Sequence, residues 1–261
     1  MSRGEAGFAR LVGVEIRRLL SRRLLRIIAA VAVAGVVVAA GLVAANSHPS
    51  TPGGSFSLTH VRHVLLGTSA GFAILAFLIG ATSIGAEWHA GTVTTLLTWE
   101  PRRIRVAVAK ALSVVLVAFG AILVLQALLA GVLALVAATR GVTVGADRAW
   151  AADTAGIAVR AAAVATAMSL AGYALASIGR NTGAALGVGF AYFAVIEGLI
   201  RGLRPHWQPW LVGDNSASFI VGGDVSRALD RSSLASGVLV GVYALVATAI
   251  AVAVFRARDV S

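Results

Sequence analysis

The chain of 261 residues contains no cysteine, which excludes disulfides, thiolate metal ligands and a cysteine nucleophile. Only 13% of its residues are charged, about half the share of a soluble domain. Its one lysine, Lys110, stands in Ala109-Lys110-Ala111, so the Gly-Lys-Ser/Thr ending of a phosphate-cradling loop is missing. The chain cannot bind ATP through a P-loop of its own. Prolines are few, and all five (Pro49, Pro52, Pro101, Pro205, Pro209) fall outside the long apolar runs. Each run is therefore free to form an unbroken helix that satisfies its own backbone hydrogen bonds. The runs also lack the alternation of barrel strands, which argues against a transmembrane β-barrel.

What is present is hydrocarbon. Hydrophobic residues make up 58% of the chain and the mean hydropathy is +0.88. Six runs approach or exceed the roughly 20 residues that cross a ~30 Å hydrocarbon layer: 27–45, 64–86, 111–138, 161–178, 183–200 and 237–255. The expected fold is an all-α membrane protein with six transmembrane helices, led by a basic amphipathic helix within residues 1–26, with residues 27–261 forming the membrane domain. The amino-terminal apolar run is longer than that of a signal peptide and is expected to be retained.

Basic residues number 22 against 11 acidic ones, a formal net charge of +11. Seven arginines lie in the first 26 residues, against the first apolar run. That placement suits anionic lipid headgroups and not nucleic acid. With the amino terminus cytoplasmic, the inner segments hold 14 Lys/Arg in 59 residues and the outer ones 8 in 76, so both termini are expected inside. Merging the fourth and fifth spans across Arg180-Asn181-Thr182 would flip the carboxyl terminus. From Phe8 to Leu20, apolar residues follow 3-and-4 spacing while Arg10, Arg17, Arg18 and Ser21 take the other side. Such a helix is expected to lie in the interface plane, its apolar side in the acyl boundary.

Between the second and third spans the chain reads Glu87, three residues, Gly91-Thr92, three residues, Leu96-Leu97, then Pro101 followed by Arg102, Arg103 and Arg105, with Lys110 beyond. This order resembles the permease subunits of ATP-binding-cassette (ABC) transporters of the type-2 exporter class. The wording Leu97-Thr98-Trp99-Glu100-Pro101-Arg102-Arg103 is similar to their actinobacterial branch. The resemblance implies a coupling segment, 87–105, that docks on a separate cytosolic ATPase, which holds ATP and Mg. It further implies a second permease half, identical or merely similar, and a bacterial plasma-membrane location. Glu87, Gly91, Thr92, Leu96, Leu97 and Pro101 would serve coupling. Many relatives place an arginine three residues after the proline, so Arg102, Arg103 and Arg105 all stand as candidates here. Apart from the resemblance, Pro101 disfavours helix at Glu100, and Lys110 is expected to snorkel to the inner boundary.

Two polar residues inside the spans are candidates for the translocation path or outer gate. Glu197 lies four residues before Arg201, close enough to pair on one helical side. Gln126, in the third span, is expected to bond a neighbouring helix. The external loop 201–236 holds Trp207 and Trp210, which favour the interface, and Phe219-Ile220-Val221 before Gly222-Gly223; short helices are expected there, where the resembling family has an outer-gate element. Gly67/Gly71, Gly183/Gly187 and Gly237/Gly241 offer four-residue spacings for close helix contact, expected mainly inside the bundle.

No cofactor, metal or covalent chemistry is expected of the chain itself. Gly67-Thr68-Ser69-Ala70-Gly71 matches a hydrolase pattern, but Ser69 sits inside a continuous helix and no later span supplies a histidine. His60 and His63 lack an acidic or sulfur co-ligand. The alternatives are a membrane anchor or scaffold without a substrate path and, less favoured, an intramembrane serine hydrolase. The spans do not specify a substrate.

Overall fold

The computed structural model describes residues 3–46, 56–89, 103–143, 147–222 and 229–257. These residues form helices α1 (Arg3–Ser21), α2 (Arg23–Asn46), α3 (Val61–His89), α4 (Arg103–Arg140), α5 (Arg148–Gly179), α6 (Thr182–Phe190), α7 (Glu197–Leu203), α8 (Val212–Val221) and α9 (Ser233–Ala257). A π-turn, Ala191–Ile196, joins α6 to α7, and a 3-10 turn, Pro205–Trp210, precedes α8. Six helical stretches (α2, α3, α4, α5, α6 to α7, α9) are long and apolar enough to cross a membrane. The protein is a multi-pass membrane protein. Among the described residues there is no strand, only an isolated bridge between Ser57 and Val142.

The breaks between helices follow from local chemistry. Asp147 accepts the Trp150 N–H at 2.7 Å and opens α5, as an N-cap carboxylate does. Arg180 adopts the left-handed region, φ 49°, a common way to end a helix. Asn181 then caps α6 by accepting the N–H groups of Gly183 and Ala184 at 2.6 and 3.3 Å. The fourth and fifth spans are thus two helices, and α9 ends beside the end of α3, where Phe255 meets Trp88 edge-on at 5.9 Å. The start of α1, beside Arg105, and the end of α9, beside Trp88, lie at one end of the bundle, called here the near end. α4 begins at Arg103, so Arg103 and Arg105 belong to a helix and not to the linker. Its 38 residues reach about 57 Å, well beyond a ~30 Å core.

α5 is the central column, with about three quarters of its most apolar stretch buried. It packs most closely on α3, and glycines set the distance. A Cβ at Gly80 would strike the Ser169 carbonyl, and one at Gly172 would strike the Phe77 carbonyl. These reciprocal contacts replace the expected glycine pairs. Gly67, Gly71, Gly187 and Gly241 have open space where a Cβ would go, and of the six only Gly237 meets another helix, at Phe219. Spacing along one helix fails to predict the contact because it does not say which face turns inward when both faces are apolar.

The amphipathic helix buries part of its apolar side in the bundle. α1 turns Val12, Glu15 and Leu19 into the bundle and lies against α4, where Ser113 Oγ donates to the Val12 carbonyl at 3.3 Å. Its inward face rests on protein, while Val14 and Leu20 are exposed.

Gly80→Ala and Gly172→Ala are each expected to lower stability in detergent by about 1–3 kcal/mol, as overpacking does, whereas Gly67→Ala stays within about 0.5 kcal/mol. Unfolding of the purified variants measures this, and equal behaviour of all three would contradict the α3–α5 crossing.

Candidate functional site

Two clusters of polar side chains stand at opposite ends of the bundle. At the near end, Lys110 of α4 is 4% exposed and lies between two carboxylates. Its Nζ is 2.7 Å from Glu15 Oε2 of α1 and 2.8 Å from Glu87 Oε2 of α3. Glu15 and Glu87 are themselves 3% and 8% exposed. Arg22, in the break between α1 and α2, completes the cluster by pairing with Glu87 and donating to the Thr82 carbonyl at 2.7 Å. Arg18 reaches Glu15 from the solvent side at 3.3 Å. Lys110 therefore does not snorkel; α1 covers it and supplies its second anion. Charges so placed lose several kcal/mol of hydration each, which their mutual pairing must offset.

Trp88, next along α3, is held as firmly. The Arg180 guanidinium sits 4.6 Å from its ring centroid, within cation–π range, and Phe255 of α9 packs on its other contact edge. Glu87 and Trp88 are thus fastened to α1, α4, the α5–α6 turn and α9 immediately before the linker. Beside them Tyr173 Oη donates to the Ala107 carbonyl at 3.0 Å, tying α5 to α4. Of the coupling candidates, Glu87 is in this clasp, Arg103 is half-buried in the first turn of α4, and the Arg105 guanidinium lies against Gly7 of α1. Gly91, Thr92, Leu96, Leu97, Pro101 and Arg102 lie outside the described residues.

At the far end the fifth span and α8 are joined through Glu197, which is 2% exposed. It meets Arg201 at 2.8 Å and accepts the Gly213 N–H at 2.8 Å. Arg201 also grips Asp214 at 3.0 Å. At the other end of α8, Arg160 donates to the Ile220 carbonyl at 3.2 Å and Arg62 to the Val221 carbonyl at 3.4 Å. Anions at its amino end and cations at its carboxyl end both match the dipole of this ten-residue helix. A side chain at Gly213 would collide with Glu197, so glycine is what lets the two helices meet.

α8 covers a cavity of about 600 Å³, a size typical of small-molecule sites. Leu66, Phe77, Met168, Phe190, Phe193 and Ile220 line much of it, and no charged side chain does. The π-turn runs along one wall; such turns recur at functional sites. Ser69 and Ser216 are its hydroxyls. Ser69 Oγ donates to the Leu65 carbonyl at 2.7 Å and accepts from Gln126 Nε2 at 3.1 Å. Gln126, fully buried, thus joins α4 to α3 and reaches the cavity only through Ser69. His60 and His63 stand on successive turns with ring centroids 6.1 Å apart, and among the described residues no group of three metal-ligating side chains is assembled.

No protein-family model and no curated protein matches the chain. The site therefore rests on its own geometry. Sequence reasoning missed Glu15, Arg22, Arg160, Arg62 and Asp214. A signal existed for Glu15, which shares the 8, 12, 15, 19 face with Phe8, Val12 and Leu19; an acid on an apolar face asks for a buried cation. No local signal marks the others.

Lys110→Met leaves Glu15 and Glu87 facing each other with Arg22 as the sole inward cation, and is expected to cost about 3–5 kcal/mol. Exposed Arg10→Gln changes stability by less than about 0.5 kcal/mol. Thermal unfolding in detergent compares them, and parity would remove the clasp as a structural keystone. At the far end, Glu197→Ala is expected to free the amino end of α8, weakening it locally by about 1.5–3 kcal/mol. Amide hydrogen exchange across 212–221 should accelerate at least about tenfold, with Glu197→Gln intermediate because its amide oxygen can still accept from Gly213.

Proposed function

We propose that this chain is the membrane-spanning permease subunit of an ATP-driven exporter of the ABC type-2 class, working with a separate cytosolic ATPase that binds ATP and Mg. In this reading the near end faces the cytoplasm of a bacterial cell, in keeping with the excess of arginine there. The linker after Glu87 is the handle on which the ATPase pulls, and a second permease half completes the translocation path.

The observation that carries the reading is the double fastening of the linker's origin. A force applied beyond residue 89 enters through Glu87 and Trp88 and is felt at once by α1, α4, the α5–α6 turn and α9. A loosely attached loop would dissipate it. The cavity under α8 supports the same reading, since it has room for a small molecule and a short helix as its cover. Transport would be a shift between two packings of the bundle, in which α8 changes its contacts with the fifth span and the clasp moves as one body. No covalent step is asked of the chain. Ser69, the sole hydrolase candidate, gives its proton to a backbone carbonyl, which favours transport over catalysis.

Affinity purification of the full chain from its native membrane should bring down a soluble polypeptide with ATPase activity. Leu96→Asp combined with Leu97→Asp should reduce that recovery at least about tenfold, the loss expected when an apolar docking contact worth over ~1.4 kcal/mol is removed, while membrane insertion is unchanged. A stable partner that neither binds nor hydrolyses nucleotide would instead favour an anchoring role.

A further inference from the structure

α4 and α9 run side by side at the near end, where Ala107 and Phe255 pack together against Trp88 and Val252. On their outward side they leave an open groove of about 770 Å³, walled by Ile104 and Val108 of α4 and by Leu245, Ala249, Val252 and Ala253 of α9. Its lining is hydrocarbon apart from Thr248 and Arg256. Leu245 to Ala257, the length of the α9 wall, is twelve helical steps, about 18 Å. That is a little more than half of a ~30 Å hydrocarbon core, the depth of one leaflet.

Arg256 stands at the near end of this groove. It is exposed and has no hydrogen-bond or ion-pair partner among the described residues. Ile104, Val108 and Leu245 are also exposed, 46%, 41% and 64%, so the groove opens sideways, away from the bundle. An apolar trough one leaflet deep that ends at a guanidinium with no partner among the described residues, on the arginine-rich side of the protein, has the shape and charge of an anionic phospholipid in negative. The guanidinium fork matches a phosphate. A zwitterionic lipid would bring a cation of its own to the same place.

We propose that the α4–α9 groove is a binding site for an anionic phospholipid of the near-end leaflet, one acyl chain lying along Leu245–Ala257 and the headgroup phosphate on Arg256. The site stands independently of the transporter reading, because it requires only that these helices span a bilayer. A bound lipid wedged between α4 and α9 also braces the helix pair that carries Lys110 and Phe255, so the near-end clasp and the lipid share a wall.

The test uses the full chain in phosphatidylcholine nanodiscs with a trace of phosphatidylglycerol bearing a photoreactive diazirine in its acyl chain, followed by peptide mapping after irradiation. Adducts should fall on α4 near Val108 and on α9 between Leu245 and Ala253, and unlabelled phosphatidylglycerol should compete better than phosphatidylcholine. A basic residue at an anionic surface is worth about 1 kcal/mol, so Arg256→Gln should cut labelling about fivefold and Arg256→Lys should restore it. Ala253→Trp, which fills the exposed groove without touching the core, should block it. Labelling that ignores Arg256→Gln, survives Ala253→Trp or is competed equally by both lipids overturns the proposal. So does a wild-type protein with no adducts on either wall, as when a second copy or another protein covers the groove. Recovery of an ATPase plays no part in this outcome, so the two proposals fail separately.

Discussion

A single ammonium buried between two carboxylates governs how this bundle is put together. Lys110 cannot reach water, and neither Glu15 nor Glu87 can be left alone in so dry a place, so α1, α3 and α4 are obliged to meet at one point. Hydrocarbon packing offers no comparable constraint. Once inside a bilayer, an apolar helix gains little by leaving lipid for another apolar helix, and many rotations of α3 and α4 would be nearly equal in energy. Pairing of Lys110 with two partners from different helices removes that degeneracy. It fixes the rotation of α4, the depth of α3 and the docking of α1 together.

The far end is built on a different principle. There the charges lie at the two termini of α8, Glu197 and Asp214 at its start, Arg160 and Arg62 at its end. Glu197 itself is buried, but its partners Arg201 and Asp214, like Arg62, are partly accessible to water, and their contacts can be remade by water at modest cost. A short helix held in this way is easier to displace than one sealed into the core. The bundle therefore has a tightly fastened end, where the charged and aromatic contacts of Lys110, Arg22, Arg180 and Phe255 converge on the last turn of α3, and a more loosely held end, where α8 covers an uncharged cavity. Between them the glycine-set crossing brings the backbones of α3 and α5 into direct contact.

The fold was largely legible in the sequence because crossing a bilayer demands long apolar runs and banishes proline, and both signals are strong and local. The break at Arg180 and the helix in the last loop followed from similarly local chemistry. Helix rotation was not legible. α3 and α4 are apolar nearly all round, so no periodicity says that Gly80 faces inward and Gly67 outward. Glu15 to Lys110 spans 95 residues of chain and Arg22 to Glu87 spans 65; nothing in either neighbourhood names its partner. Glu197 and Arg201 were legible as a pair since four residues separate them, whereas Asp214 and Gly213 joined them only through the fold.

Lysine at the clasp is itself informative. The chain uses arginine for every other basic position, including those that meet carbonyls, aromatic rings or headgroup depth, where a broad, weakly hydrated plane is an advantage. The clasp has different needs. Its cation must lie within hydrogen-bonding distance of oxygens arriving from two helices, and Nζ does so at 2.7 Å to Glu15 and at 2.8 and 3.0 Å to the two oxygens of Glu87. A compact ammonium with three divergent donors fits between two carboxylates; a planar fork would push them apart and reopen the contact between α1 and α3. Lysine thus stands where the cation is enclosed on all sides, and its fit there follows from the shape of the space that three helices leave.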